Sequence, residues 1–337
     1  MADHFLRLPL SEQAEVLNGL APELGRTASV LEKDVWVCWV LQQLFQMPER
    51  LPMAFKGGTS LSKVFNAINR FSEDIDVTLD YRCFNTGVDP FDPKISNSKV
   101  KKLSKTLKGL VSDHANGLIV PYLKQQLCAE VESSQARVEA NETAAEVRIY
   151  YPSAIDPTSG YLRDSVLIEF GGRNITEPNA EHHVRPYIAE YLTNLVLPMA
   201  DVTVLSPART FWEKATLIHV ECHRPELKAD ANRQSRHWCD LAVLADHDIG
   251  RDALANRNLL ADVVKHKNVF FRDQHANYDA CLSGKLRLVP DDALLRAVDA
   301  DLSAMIDGGM FYGERPSFEK IIERLRALEA EINSTAA

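Results

Sequence analysis

The chain has 337 residues, 45% of them hydrophobic and 25% charged, and carries a net charge of −9. The length suits two modest domains or one large one, and the composition is that of an ordinary globular protein. The acidic balance argues against a generic nucleic-acid coat, which would be basic overall, but leaves room for a local basic patch. No apolar run approaches the roughly 20 residues that span a bilayer. The opening "MADHFLRLPLSEQ" lacks a basic segment leading into an apolar one, so no secretory signal is expected there. The six cysteines, Cys38, Cys83, Cys128, Cys222, Cys239 and Cys281, are scattered without a Cys-x-x-Cys. That pattern suits reduced thiols in a cytoplasm.

In chain order, residues 11–46 read as helical. In "SVLEKDVWVCWVLQQLF", Ser29 stands three residues before Glu32, which is capping-box spacing, and "MPERLP" ends the helix. "MAFKGG" fits a brief strand or a loop entering a helix that Thr59 or Ser60 can cap. Leu61, Val64, Phe65 and Ile68 then mark one buried helical face. The period next changes to two: Asp74, Asp76, Thr78 and Asp80 alternate with Ile75, Val77 and Leu79, a half-buried strand with acids on the open face. "DPKISNSKVKKLSKTLKGL" carries Lys94, Lys99, Lys101, Lys102, Lys105 and Lys108, and a helix there puts Lys101, Lys105 and Lys108 on one face. A solvated surface helix is the preferred reading, and contact with an RNA backbone the functional alternative. "EVRIYYPS", "SVLIEF" and "DVTVLSPART" read as strands, and "ITEPNAEHHVRPYIAEYLTN" as irregular and then short-helical. Beyond about residue 207 the pattern is mostly helical. A polar surface loop is expected over 223–235 and a frayed end at "STAA".

The chemistry concentrates in "KGGTSLSKVFNAINRFSEDIDVTLD", Lys56 to Asp80. Period two sets Asp74 and Asp76 on one face, where two carboxylates can share divalent cations. In a two-metal site such ions clamp the attacking and leaving oxygens of a phosphoryl transfer. Gly57 and Gly58 permit close approach of backbone to phosphate, and the following helix start offers N–H groups. The plainer reading, an acidic edge strand that blocks sheet pairing, is disfavoured because Glu73 and Asp80 add charge that no nearby base offsets. Glu-Lys-Asp at residues 32–34 has no evident chemical role beyond capping and packing. "HVECH", His219 to His223, spaces two histidines for zinc but lacks both the His-Glu-x-x-His order and a Cys-x-x-Cys. Partly exposed helix histidines are expected instead.

Gly-Gly-Thr-Ser, one amphipathic helix and then Asp-x-Asp on a strand resembles the signature of polymerase-β-type nucleotidyltransferases. "VLEKDVWVCWVL", "FKGGTSLSK", "RFSEDIDVTLD", "FWEKATLIH" and "RHWCDL", in that order, are similar to the AbiEii/AbiGii-type nucleotidyltransferase toxin family, whose relatives include the MenT toxins. The resemblance implies an α+β fold: a nucleotidyltransferase core with a small mixed sheet and flanking helices over 1–205, and a helical C-terminal part over 206–337. It implies a toxin of a bacterial toxin–antitoxin or phage-defence system that moves a nucleotide from an NTP to an RNA hydroxyl, tRNA among the acceptors. It also implies Mg²⁺, with Mn²⁺ as a substitute, and a cognate antitoxin.

Carried over residue by residue, the resemblance makes Asp74, Asp76, Lys214 and Asp240 catalytic, with Lys214 touching the nucleotide. Asp240 is either a base on the acceptor hydroxyl or a partner orienting a basic group. Its plainer reading, a helix pair with Arg236, has the less favourable acid-last order. Metal ligands are Asp74, Asp76 and, as the customary third carboxylate on a neighbouring strand, Glu169. The nucleotide-binding set is Lys56, Gly57, Gly58, Thr59, Ser60, Lys63 and Arg173, the last reaching from the turn after its strand. Two alternatives stay open: an NTP-binding protein of this fold without transfer, and kinase-like transfer of the γ-phosphate.

Overall fold

The structure, a computed structural model, describes residues 3–143, 145–155, 165–225, 234–314 and 316–334. Most of the expected polar loop (226–233) and the last three residues of the expected frayed end lie outside the described residues. Contacts divide the chain into two compact units. The first comprises Met1–Val64, Phe71–Val88 and Lys102–Leu205, and the second Phe65–Arg70, Asp89–Lys101 and Ser206–Ala337.

The first unit contains β1 (Asp3–His4), α1 (Leu10–Leu24), α2 (Ala28–Gln46), β2 (Met53–Lys56), α3 (Gly57–Lys63) and β3 (Ile75–Asp80). Helix α4 (Asn97–His114) follows β3, and then come α5 (Val120–Glu130), β4 (Arg137–Ala140), β5 (Glu146–Tyr150), β6 (Ser165–Asn174), β7 (Asn179–Val184), β8 (Leu195–Val196) and β9 (Ala200–Leu205). Seven strands form one mixed sheet in the order β4-β5-β6-β3-β2-β9-β7, with β3–β6 and β2–β9 parallel. Strands β1 and β8 pair separately. The α+β reading therefore holds, with the acid-bearing strand β3 near the middle of the sheet.

Helix α2 is buried on every side from Val30 to Leu41, as befits a helix at the centre of a core. Its cap is Thr27, whose hydroxyl accepts from the Val30 N–H at 3.3 Å, rather than Ser29. Glu32 is not free to close a capping box because its carboxylate accepts from the Ser153 hydroxyl and the Ala154 N–H. Helix α3 is shorter than its apolar spacing suggests. It stops at Lys63, and Asn66 then takes a left-handed conformation (φ 47) that helical residues avoid. Between α4 and α5 the helix widens for one π-type turn over Ala115–Ile119. Pro121, which has no N–H to donate back into that turn, accounts for the shift.

Two elements of the sheet are poorly signalled in sequence. Strand β7 pairs along its whole length with β9, yet its residues are mostly exposed polar ones, so the alternation that marks a strand is absent. Strand β6 runs through Gly171 and Gly172 to Asn174, which places Arg173 in the strand rather than in a turn after it. The lysines of the α4 segment, from Lys94 to Lys108, are all exposed. All six cysteines are free thiols, most of them buried.

The second unit is helical: α6 (Pro207–Glu221), α7 (Arg236–Asp246), α8 (Asp248–Ala255), α9 (Arg257–Phe270), α10 (Asp292–Asp307) and α11 (Phe318–Ser334). Its core is anchored by Trp212 and Trp238, fully buried, whose indole N–H groups donate to the carbonyls of Ala253 and Leu288. No helix among the described residues is long and apolar enough to cross a membrane.

Candidate active site

Sheet register builds the site in the first unit. Lys56 on β2 lies opposite Asp76 on β3, Asp76 lies beside Glu169 on β6, and Glu169 lies opposite Glu146 on β5. Residues in register share a sheet face at strand spacings of about 4.8 Å. One row across four strands thus carries a lysine and then three carboxylates. Like charges facing each other across strands destabilise a sheet unless a cation offsets them. Glu146 was not singled out from the sequence, because only the pairing of β5 with β6 brings it beside Glu169.

Asp76 is half-buried, and its carboxylate lies against Gly57. A Cβ added at Gly57 would fall 2.0 Å from Asp76 Oδ2, and the backbone there has φ +83. Only glycine satisfies both conditions. Asp74 is half-exposed and sits immediately before β3 rather than within it. Its carbonyl accepts from the Thr59 hydroxyl, which also lies 2.9 Å from the Ser72 hydroxyl. Thr59 therefore ties α3 to the segment that leads into β3. Ser60 is fully buried and donates to the Gly57 carbonyl at 2.9 Å. Both hydroxyls expected to cap α3 or meet phosphate are engaged within the fold, and no side chain caps that helix.

Two further expectations are revised. Lys63 is buried, its ammonium bonded to Asp34 and 3.8 Å from the centre of the Tyr187 ring. Burial acts against its charge, but Asp34 outweighs that and raises its pKa. Its ammonium is thus engaged within the core. The charges of Glu73 and Asp80 do have nearby bases. Lys33 pairs with Glu73 inside the fold, and Arg82 makes a forked contact with Asp80, whose second oxygen also accepts from the Thr176 hydroxyl. Glu73 and Asp80 are thus offset by bases, and the carboxylates that the register sets side by side are Asp76 and Glu169. Arg173 is half-buried and burial lowers its pKa. The register of β6 against β3 shifts between Gly171 and Asn174, so Arg173 lies within an irregular stretch of the strand that carries Glu169.

Asp76 and Glu169 supply hard oxygen donors suited to Mg²⁺, and the missing side chain at Gly57 lets the Asp76 carboxylate lie directly against the backbone. These residues fit a divalent cation that would take its remaining ligands from water and substrate. The described residues contain no cluster of three or more His, Cys, Asp or Glu close enough to make a metal cage unaided.

In the second unit, Asp240 on α7 is fully buried and gripped by two cations. Arg70 makes a forked contact (Nε–Oδ1 2.6 Å, Nη2–Oδ2 2.7 Å), and Lys214 Nζ on α6 lies 2.8 Å from Oδ2. Burial works to raise the Asp240 pKa, but Arg70 and Lys214 outweigh it and hold the carboxyl well below the usual range. A carboxylate so held is a poor general base. Of the two roles expected for Asp240, orienting a basic partner is the one its surroundings support, and Arg236 is not the partner in this contact. Burial lowers the Lys214 pKa, and His237 lies 3.5 Å from its ammonium. We read the cluster as an Asp240 anion fixed by Arg70, with Lys214 the less firmly charged member. Arg70 was missed, although it opens the "RFSEDID" block; its target lies 170 positions later.

His219 is fully buried, contrary to the partly exposed helix histidine expected. The Arg287 N–H donates to its Nδ1 (2.9 Å), so Nε2 carries the proton and donates to the Asn277 carbonyl (3.2 Å). Neither ring nitrogen has a lone pair to offer zinc.

Comparison with known proteins adds to this geometry. No curated protein matches the chain. Among solved structures, MenT4, a nucleotidyltransferase toxin from Mycobacterium tuberculosis H37Rv, aligns over 98% of this chain and 99% of its own at 15% identity and a TM-score of 0.40. The family described as nucleotidyl transferase AbiEii toxin, type IV toxin–antitoxin system, matches residues 39–324. That span covers most of the chain, from α2 into α11. The chain belongs to the AbiEii family of nucleotidyltransferase toxins.

Proposed function

We propose that the protein transfers a nucleotide from an NTP to an RNA hydroxyl in a Mg²⁺-dependent reaction, with Mn²⁺ able to substitute, releasing pyrophosphate. The observation that carries this reading is the row of Lys56, Asp76 and Glu169 across three strands, with the Asp76 carboxylate packed against the Gly57 backbone. Asp76 and Glu169 would hold the metal, with Asp74 contributing from the entry to β3. When bound, the ion neutralises phosphate charge and lowers the pKa of the attacking hydroxyl. Lys56 offers a point charge at the end of the row for a phosphate oxygen. Gly57 lets the Asp76 carboxylate seat against the start of α3, Gly58 joins the nucleotide set through the family resemblance, and Thr59 and Ser60 hold that helix start in shape. Arg173 supplies a second cation from the strand that carries Glu169. Lys214 belongs to the nucleotide set through the family resemblance, and Asp240 keeps it and Arg70 oriented. A tRNA acceptor, an antitoxin partner, a cytoplasmic location and a role in phage defence extend the same reading.

The test incubates the protein with total bacterial RNA, Mg²⁺ and each α-labelled NTP in turn. Label should enter RNA with the wild type and not with Asp76→Ala or Glu169→Ala. Full transfer by a folded Asp76→Ala protein would sink the proposal. Label arriving only from γ-labelled NTP would make the protein a kinase instead.

A further inference from the structure

Glu32, Lys33 and Asp34 are consecutive residues of α2, and all three are buried (4%, 2% and 3% exposed). Consecutive helical positions point about 100° apart, so the three side chains fan out to different neighbours. Glu32 accepts from Ser153 (2.6 Å) and from the Ala154 N–H, just beyond β5. Asp34 holds Lys63 at the end of α3 and accepts from the Tyr187 N–H (2.7 Å). Lys33 pairs with Glu73, itself 5% exposed and the residue immediately before Asp74. One turn of a rigid core helix therefore holds the segments on both sides of the proposed metal ligands. Thr59 on α3 grips the same segment from its other end through the Asp74 carbonyl.

A buried ion pair is seldom retained for stability alone, since apolar replacements of both partners are often neutral or stabilising. It does hold its two segments in one arrangement. We propose that Lys33, through Glu73, is a positioning residue for catalysis, fixing the chain at 72–74 so that Asp74 and Asp76 enter the strand in the reactive geometry. The catalytic half of this inference rests on the nucleotidyltransferase reading, but the structural half does not.

The test is the double variant Lys33→Met/Glu73→Met, which removes both charges and keeps apolar bulk. Its melting temperature is expected within about 4 °C of wild type. Amides over 72–76, followed by hydrogen exchange without added metal, should exchange at least about tenfold faster, while the rest of β3 keeps its protection. Turnover should fall about 30- to 100-fold with the KM for NTP changed less than about threefold, the signature of misplaced catalytic groups. The pair Lys33→Gln/Glu73→Gln, which replaces the ion pair with a neutral hydrogen bond, should recover part of both losses and serves if the first variant does not fold. Unchanged exchange and turnover in a folded variant would overturn the proposal. Faster exchange with unchanged turnover would overturn its catalytic half. If the wild type itself transfers no nucleotide, the exchange measurement still decides whether Lys33 fixes this segment.

Discussion

Gly57→Ala tests the site at its tightest point. The added Cβ would lie 2.0 Å from Asp76 Oδ2 and 2.9 Å from its Cγ, so the carboxylate must move by more than about 1 Å to reach ordinary contact. The φ of +83 adds a backbone cost of about 1–2 kcal/mol for any residue with a Cβ. Together these should lower stability by roughly 2–3 kcal/mol, which leaves the protein folded. A 1 Å misplacement of a reacting group costs about a hundredfold in rate, or about 2.7 kcal/mol. Gly25→Ala is the control: its φ is +60 and nothing lies within 4 Å of the added Cβ, so it shares the backbone strain without touching Asp76. Transfer of α-labelled nucleotide to RNA, measured beside thermal unfolding, should show both variants destabilised but only Gly57→Ala about a hundredfold slower. Gly57→Ala within about threefold of Gly25→Ala in turnover would refute the reasoning, because the contact with Asp76 would then have no bearing on the reaction.

Other outcomes follow from charges and caps. Arg70→Met leaves Asp240 buried with Lys214 as its remaining ion-pair partner and should cost about 3–5 kcal/mol in chemical unfolding; a loss under about 1 kcal/mol would show that Lys214 alone suffices. His219 has its pKa lowered to about 4 by burial, so between that value and its unfolded value near 6.5 the unfolded chain binds the extra proton. Stability is therefore fully present above about pH 6.5 and declines as pH falls toward 4, by roughly 3 kcal/mol. His219→Asn should flatten that slope in urea titrations, and an unchanged slope would assign it elsewhere, His237 being the next candidate by its depressed pKa. Thr27→Ala should cost about 1 kcal/mol as loss of the α2 cap, whereas Ser29→Ala should cost at most a few tenths; the reverse order would return the cap to Ser29.

The sequence by itself determined a good deal. Period-two acids over Asp74–Asp80 marked the strand, the glycines that open α3 marked a close approach, and the family resemblance named Asp74 and Asp76 as metal ligands with Glu169 as the candidate third carboxylate. These are local signals, readable because strand alternation and glycine's lack of a side chain act within a few residues. Strand β7 escaped because an exposed edge strand needs no apolar alternation. The end of α3 was misjudged because the apolar spacing continued past Asn66, where the backbone does not. What tertiary structure alone decided is which charges meet. Lys33 finds Glu73 and Arg70 finds Asp240 across 40 and 170 positions. Glu146 joins Glu169 only through the pairing of β5 with β6. A buried charge must have a partner, so the sequence can require that one exists. Its identity depends on which segments the fold packs together, and no local pattern in the chain records that.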